Sequence, residues 1–194
     1  MRRFTALALS LLAFVAAPAA AEELVVYETV EVSDGGSERF VATAPAEVPK
    51  GIATFGPFRV LDGTRAALVD VTDEASPAQF EAMLAAYPGI AMIEMIECPG
   101  TEDDRANLKL GRMIHARGIS THVPAGGSVR SGGVELFLAG KSRSADPGSE
   151  FAVHSWADED GREAKAFYAM TNSVPNADAK WLTAGDMGHW VHLD

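Results

Sequence analysis

Apolar and polar positions alternate along this chain in short blocks whose period changes repeatedly. Residues 65–71 (Arg, Ala, Ala, Leu, Val, Asp, Val) form an apolar run too short for a helix, which predicts a buried strand. Ser76, Pro77, Ala78 and Gln79 then spell a helix start: a capping serine, a proline at the first helical position and a glutamine placed to close a capping box. Phe80, Met83, Leu84 and Tyr87 recur at helical spacing and line one face, and Pro88 with Gly89 ends the helix. A second strand is predicted over 89–97, carried by Ile90, Met92, Ile93, Met95 and Ile96, and it runs directly into Cys98, Pro99, Gly100 and Thr101. Thr101 is placed to cap another helix, with Glu102, Asp103 and Asp104 in its first turn, Ala106, Leu110, Met113 and Ile114 on its apolar face, and Gly118 as terminator. A strand over 119–123 follows. Strands thus alternate with helices, the pattern of an α/β domain with a largely parallel sheet.

The most informative stretch lies beyond. Gly126, Gly127, Ser128, Val129, Arg130, Ser131, Gly132 and Gly133 precede the apolar run 134–140, which predicts a buried helix with the Ser131 hydroxyl at its positive end. Phe151, Ala152 and Val153 read as a buried strand that delivers His154 to an edge. A serine and a histidine on separate elements are the minimum for acyl-transfer chemistry, provided the fold brings them together.

The N-terminal residues change the setting. Arg2 and Arg3, the apolar run 6–17, then Pro18 and three alanines before Glu22 form a signal peptide over 1–21, shorter in its apolar core than the roughly 20 residues of a membrane span. The expectation is an exported protein, periplasmic or secreted, with no membrane span in the mature chain. Residues 22–58, with β-branched runs, a Ser33 to Gly36 turn, and Pro45, Pro49 and Pro57, predict a β-hairpin and an extended arm ahead of a domain over 59–194. Loss of Arg2 and Arg3 takes the formal charge from −11 to −13, which argues against a nucleic-acid partner. Cys98 is the sole cysteine, so no internal disulfide forms and stability rests on the core or on self-association.

Taken in order, these motifs resemble the Clp-protease and crotonase superfamily, and within it a group of exported Clp-protease-like proteins. The resemblance covers about residues 58–193. It rests on the strand leading to Cys98, Pro99, Gly100 and Thr101, where the family has Ser, Pro, Gly, Gly, and on the helix ending in Ile114, His115, Ala116, Arg117 and Gly118. It continues through Ser131 with the later Phe137, Leu138, Ala139 and Gly140, the run Asp146, Pro147, Gly148 before Val153 and His154, and Trp181, Leu182, Thr183, Ala184, Gly185 and Asp186. The fold this implies is an α/β spiral of strand-strand-helix units behind an N-terminal β-rich arm. The function it implies is a serine hydrolase cleaving peptide or small ester bonds, with no cofactor and no metal. Ser131 would be the nucleophile and His154 its general base, with Gly100 and Gly132 offering oxyanion N–H groups. Asp178 is the carboxylate nearest the position of the family's third triad member, with Asn172 and Asn176 as neutral substitutes. Relatives commonly form trimers or rings, so a homo-oligomer is the implied assembly.

A catalytically silent binding or assembly module of the same fold stays open beside the hydrolase. Coenzyme A chemistry of the crotonase kind is disfavoured by export and by the negative charge. Glu135, one helical turn after Ser131, is placed to approach His154 or the pocket. His115 and His122 read as surface positions, and His189 and His192 flank Trp190 and Val191 without a third metal ligand nearby. The acidic clusters 102–104 and 158–160 would border one cleft and favour neutral or basic substrates.

Overall fold

A computed structural model of the chain describes residues 43–154, 171, 173–174 and 179–194. The expected signal peptide over 1–21, the run 22–42, Asp178, Asn172, Asn176 and the acidic run 158–160 lie outside the described residues.

Within them, strands β1 (Ala53–Phe55), β2 (Phe58–Val60) and β3 (Arg65–Leu68) precede helix α1 (Ser76–Ala86). Then come β4 (Met92–Met95), β5 (Glu97–Cys98) and helix α2 (Asp104–Ala116), followed by β6 (Ser120–Val123), β7 (Ser128–Arg130) and helix α3 (Gly132–Leu138). Last are β8 (Arg143–Ala145), β9 (Glu150–Val153), β10 (Lys180–Thr183) and helix α4 (Ala184–Trp190). The strands form two sheets rather than one: a six-stranded sheet in the order β1-β2-β3-β4-β6-β8 and a four-stranded sheet in the order β10-β9-β7-β5. Pairing is parallel from β3 to β8 and from β5 to β9, and antiparallel at β1, β2 and β10.

The apolar run 89–97 is where the chain splits between the sheets. Ile96 donates its N–H to Leu68 in the first sheet at 3.0 Å and accepts from the Ser128 N–H in the second at 3.0 Å. One continuous hydrophobic run therefore supplies β4 to one layer and β5 to the other. The same step recurs from β6 to β7 and from β8 to β9, so the chain winds as strand, strand, helix, as the expected spiral requires. In the second sheet the register aligns Cys98, Val129, Phe151 and Leu182 across four strands. All four are buried in the core with Phe137 of α3, whose ring lies 5.0 Å from that of Phe151. Fully burying each such phenylalanine contributes roughly 1.5–3 kcal/mol, so this contact helps to seat α3.

Local capping differs from the sequence reading in two places. α1 is capped by the backbone of Ala75, with Pro77 at its second position; the Ser76 hydroxyl instead accepts the Asp73 N–H at 2.9 Å, and the Gln79 side chain lies against Gly56, too far away to reach back to the cap. α2 is capped by Asp103, whose carboxylate accepts the Ala106 N–H at 2.8 Å. Thr101 is drawn off by a tertiary partner, forming a parallel bridge with Thr72. No helix among the described residues is long and apolar enough to cross a membrane.

Candidate active site

Strands β5, β7 and β9 run parallel and adjacent, so their carboxyl ends open at the same end of the sheet. Gly100 follows β5, Ser131 follows β7 and His154 follows β9. Clefts at the carboxyl ends of parallel strands are where α/β sheets gather reactive groups.

Ser131 turns the chain sharply from β7 into α3. Its φ of 49° and ψ of −126° make it the one non-glycine residue with positive φ among the described residues. These angles belong to the first central position of a type II′ turn, which glycine dominates. A side chain held there costs on the order of 1–3 kcal/mol. The surroundings enforce it: the Ser131 N–H is fixed on Ala152 of β9 at 2.9 Å, and its carbonyl accepts the Val134 N–H at 2.9 Å. Although Ser131 stands at the N-cap of α3, its hydroxyl makes no capping bond. It meets His154 Nε2 at 2.8 Å instead. With the imidazole proton on Nδ1, Nε2 accepts the hydroxyl proton.

The turn around Gly100 lies against this serine. Gly100 has φ of 135°, and a Cβ there would stand 3.2 Å from the Ser131 Cβ, so both conformation and space require glycine. A Cβ on Gly132 would come within 2.7 Å of the Thr101 methyl, and one on Gly133 within 3.1 Å of Cys98. The three glycines therefore let α3, the turn and the bend at Ser131 close on one another. Among the described residues the N–H groups of Gly100, Thr101 and Gly132 make no backbone hydrogen bond. Glycine is absent at Thr101, whose hydroxyl bonds the Thr72 carbonyl at 3.1 Å.

Cys98, where the resembled family has serine, is a core residue. It is 1% exposed and its Sγ lies 3.5 Å from the Leu68 carbonyl. Burial, with a smaller contribution from the Glu97 charge, pushes its thiol well above the ordinary range, so it is no nucleophile. Glu135 does not turn to His154 for its described bond; its carboxylate accepts from Asn107 Nδ2 at 3.0 Å. His115 is exposed, whereas His122 is largely covered and bonds Ser144 Oγ at 2.9 Å, because β6 lies inside the first sheet. His192 is exposed and lies 3.4 Å from Asp194. Glu102 and Asp104 are exposed at the start of α2, just past the glycine turn. No group of three or more histidine, cysteine, aspartate and glutamate side chains among the described residues could hold a metal ion.

Two residues at the site escaped the sequence reading. Asn107 on α2 and Thr72 after β3 are each 1% exposed and hydrogen-bonded to each other at 3.0 Å. The available signal was a polar residue on an apolar helix face, since Asn107 shares spacing with Leu110 and Ile114.

No family model matches the chain, and no curated protein matches it. Solved structures similar to it include a mutant of ClpP1 from Listeria monocytogenes, 17% identical with a TM-score of 0.47, covering 66% of this chain and 88% of that one. Another is a mutant of a membrane-bound stomatin-specific protease, 13% identical with a TM-score of 0.46, covering 68% of this chain and 76% of that one.

Proposed function

We propose that this chain is an exported serine hydrolase of peptide or small ester bonds, with Ser131 as nucleophile and His154 as general base. One observation carries the reading: Ser131 is held in a backbone conformation that disfavours side chains, and its hydroxyl, free of the helix cap, is given to an imidazole nitrogen. Strain maintained at a residue with reactive chemistry is the usual mark of a site that uses it. Ser131 Oγ attacks the substrate carbonyl as His154 Nε2 takes its proton. The tetrahedral oxyanion is met by the N–H groups of Gly100 and Gly132, with Thr101 beside them. The imidazolium returns the proton to the leaving amine or alcohol, and water, deprotonated by the same nitrogen, releases the acyl group.

Asp178 is the proposed orienting acid. Lys180 pairs with Val153, the residue before His154, so the chain enters β10 from the imidazole's side. Export is supported by the leader pattern over 1–21.

The test is covalent trapping with a fluorophosphonate, followed by peptide mass mapping. Labelling of the wild type at Ser131, its loss in Ser131→Ala and a slower rate in Asp178→Asn are expected. An unlabelled wild type would instead favour the silent binding module. Cell fractionation with and without residues 1–21 tests export.

A further inference from the structure

Asn107 is 1% exposed, yet every polar atom of its side chain is engaged. Nδ2 donates to the Gly132 carbonyl at 2.9 Å and to Glu135 Oε2 at 3.0 Å; both partners can only accept, which fixes the orientation of the amide. Oδ1 therefore faces Thr72, whose hydroxyl donates to it at 3.0 Å. Thr72 grips the glycine turn on both sides. Its N–H donates to the Gly100 carbonyl at 3.1 Å, and its own carbonyl accepts the Glu102 N–H at 2.8 Å and the Thr101 hydroxyl at 3.1 Å.

We infer that Asn107, acting through Thr72, is the positioning residue of the oxyanion cradle, a role that rests on the hydrolase reading above. The cradle's two halves come from distant parts of the chain: Gly100 ends one strand and Gly132 opens the helix after another. No described backbone bond joins Gly100 to Gly132 directly. Asn107 and Thr72 supply the link, holding the carbonyl of each glycine, and so tie together the two backbones that carry the Gly100 and Gly132 N–H groups on either side of Ser131. A buried amide whose oxygen and both N–H groups are bonded can hold such a link, because losing either end strands a buried polar atom. The Glu135 bond adds a third anchor on the first turn of α3.

The test separates the cradle from the imidazole. Fluorophosphonate trapping at Ser131 needs the N–H groups around the phosphoryl oxygen, whereas carbethoxylation of His154 by diethyl pyrocarbonate does not. Asn107→Ala and Thr72→Val are expected to slow phosphonylation about 10- to 100-fold, with His154 carbethoxylation within about twofold of the wild type. Thr72→Ser, which keeps the hydroxyl, is expected to restore the wild-type rate. In NMR spectra the Gly100 and Gly132 amide resonances should move in Asn107→Ala and stay in place in Thr72→Ser. Unchanged phosphonylation in both Asn107→Ala and Thr72→Val would overturn the inference. So would equal slowing by both reagents, which is general loosening. If the wild type itself is not phosphonylated, the hydrolase reading fails and the glycine resonances decide the positioning link alone: unmoved in Asn107→Ala, they overturn it.

Discussion

Two helices in this protein begin at a hydroxyl residue at or just past the end of a strand, and they use it in opposite ways. Thr183 starts α4 in ordinary extended geometry, with φ of −84° and ψ of 170°. Its hydroxyl accepts the Asp186 N–H at 3.2 Å, and Asp186 reaches back to the Thr183 N–H at 2.8 Å, a reciprocal capping box. Ser131 starts α3 with φ of 49° and its hydroxyl makes no capping bond. The first arrangement lowers the energy of a short terminal helix; the second raises the local energy and leaves an oxygen available to His154. Local stability and chemical readiness are thus separated between two otherwise parallel strand-to-helix junctions.

The largest expected effect is chemical and confined to one junction. Ser131→Ala and His154→Gln should each reduce hydrolysis of an activated ester by about 10³-fold or more, the scale of losing a triad member. Thr183→Ala should leave the rate unchanged. Rates against p-nitrophenyl acetate read the difference, and a Thr183→Ala enzyme as impaired as Ser131→Ala would erase the distinction between the junctions.

A smaller effect appears in stability with the sign reversed. Ser131→Gly and Ser131→Ala both lose the hydroxyl, but only glycine relieves the left-handed backbone, at some cost in unfolded-state entropy. Ser131→Gly should be the more stable by about 1 kcal/mol, or about 2–4 °C in melting temperature. Equal melting points for the two variants would mean that the junction stores no strain. At the other junction Thr183→Ala removes a cap and should destabilise by about 1 kcal/mol, read as faster amide exchange over residues 184–190.

The smallest effect depends on pH. Hydrogen bonds from the Thr183 backbone N–H, then from its hydroxyl, hold the Asp186 carboxyl below its ordinary value of 3.8. A lowered carboxylate adds stability above its unfolded value and loses it as pH falls through the folded one. Asp186→Asn should therefore melt slightly below the wild type at neutral pH, by about 0.5 kcal/mol or less for so exposed a group. The gap should close as pH is taken from above 3.8 to below it. A gap that persists in acid would show that the carboxylate charge plays no part in the cap.

Much of the fold was legible in short-range pattern. The face of Phe80, Met83 and Leu84 is buried as its spacing required, and Ile119 leads into β6 after the left-handed Gly118. The positions of Ser131 and His154 at element ends were legible as well, because glycines before an apolar run and a histidine after one mark such ends. Caps were less so. Thr101 and Asp103 are both competent caps by residue type, and the choice between them was made by Thr72, which engages Thr101 from 29 residues away. Asn107 was missed for the same reason, since its partners Thr72, Gly132 and Glu135 lie 25 to 35 residues distant.

By itself the sequence determined where strands and helices form, which residues enter the core, and that a serine precedes one apolar run while a histidine ends another. Those outcomes depend on hydrophobic period and turn chemistry, which act over a few residues. Tertiary structure alone decided that one apolar run serves two sheets through Ile96. It also decided that β5, β7 and β9 lie side by side, and that Ser131 is bent into a conformation its own residue type disfavours. The reason is physical: a single residue's preference is worth about 1 kcal/mol, whereas burial of Phe137, Phe151 and their neighbours is worth several times that, so packing overrides local preference at the one junction where the hydroxyl is turned to His154.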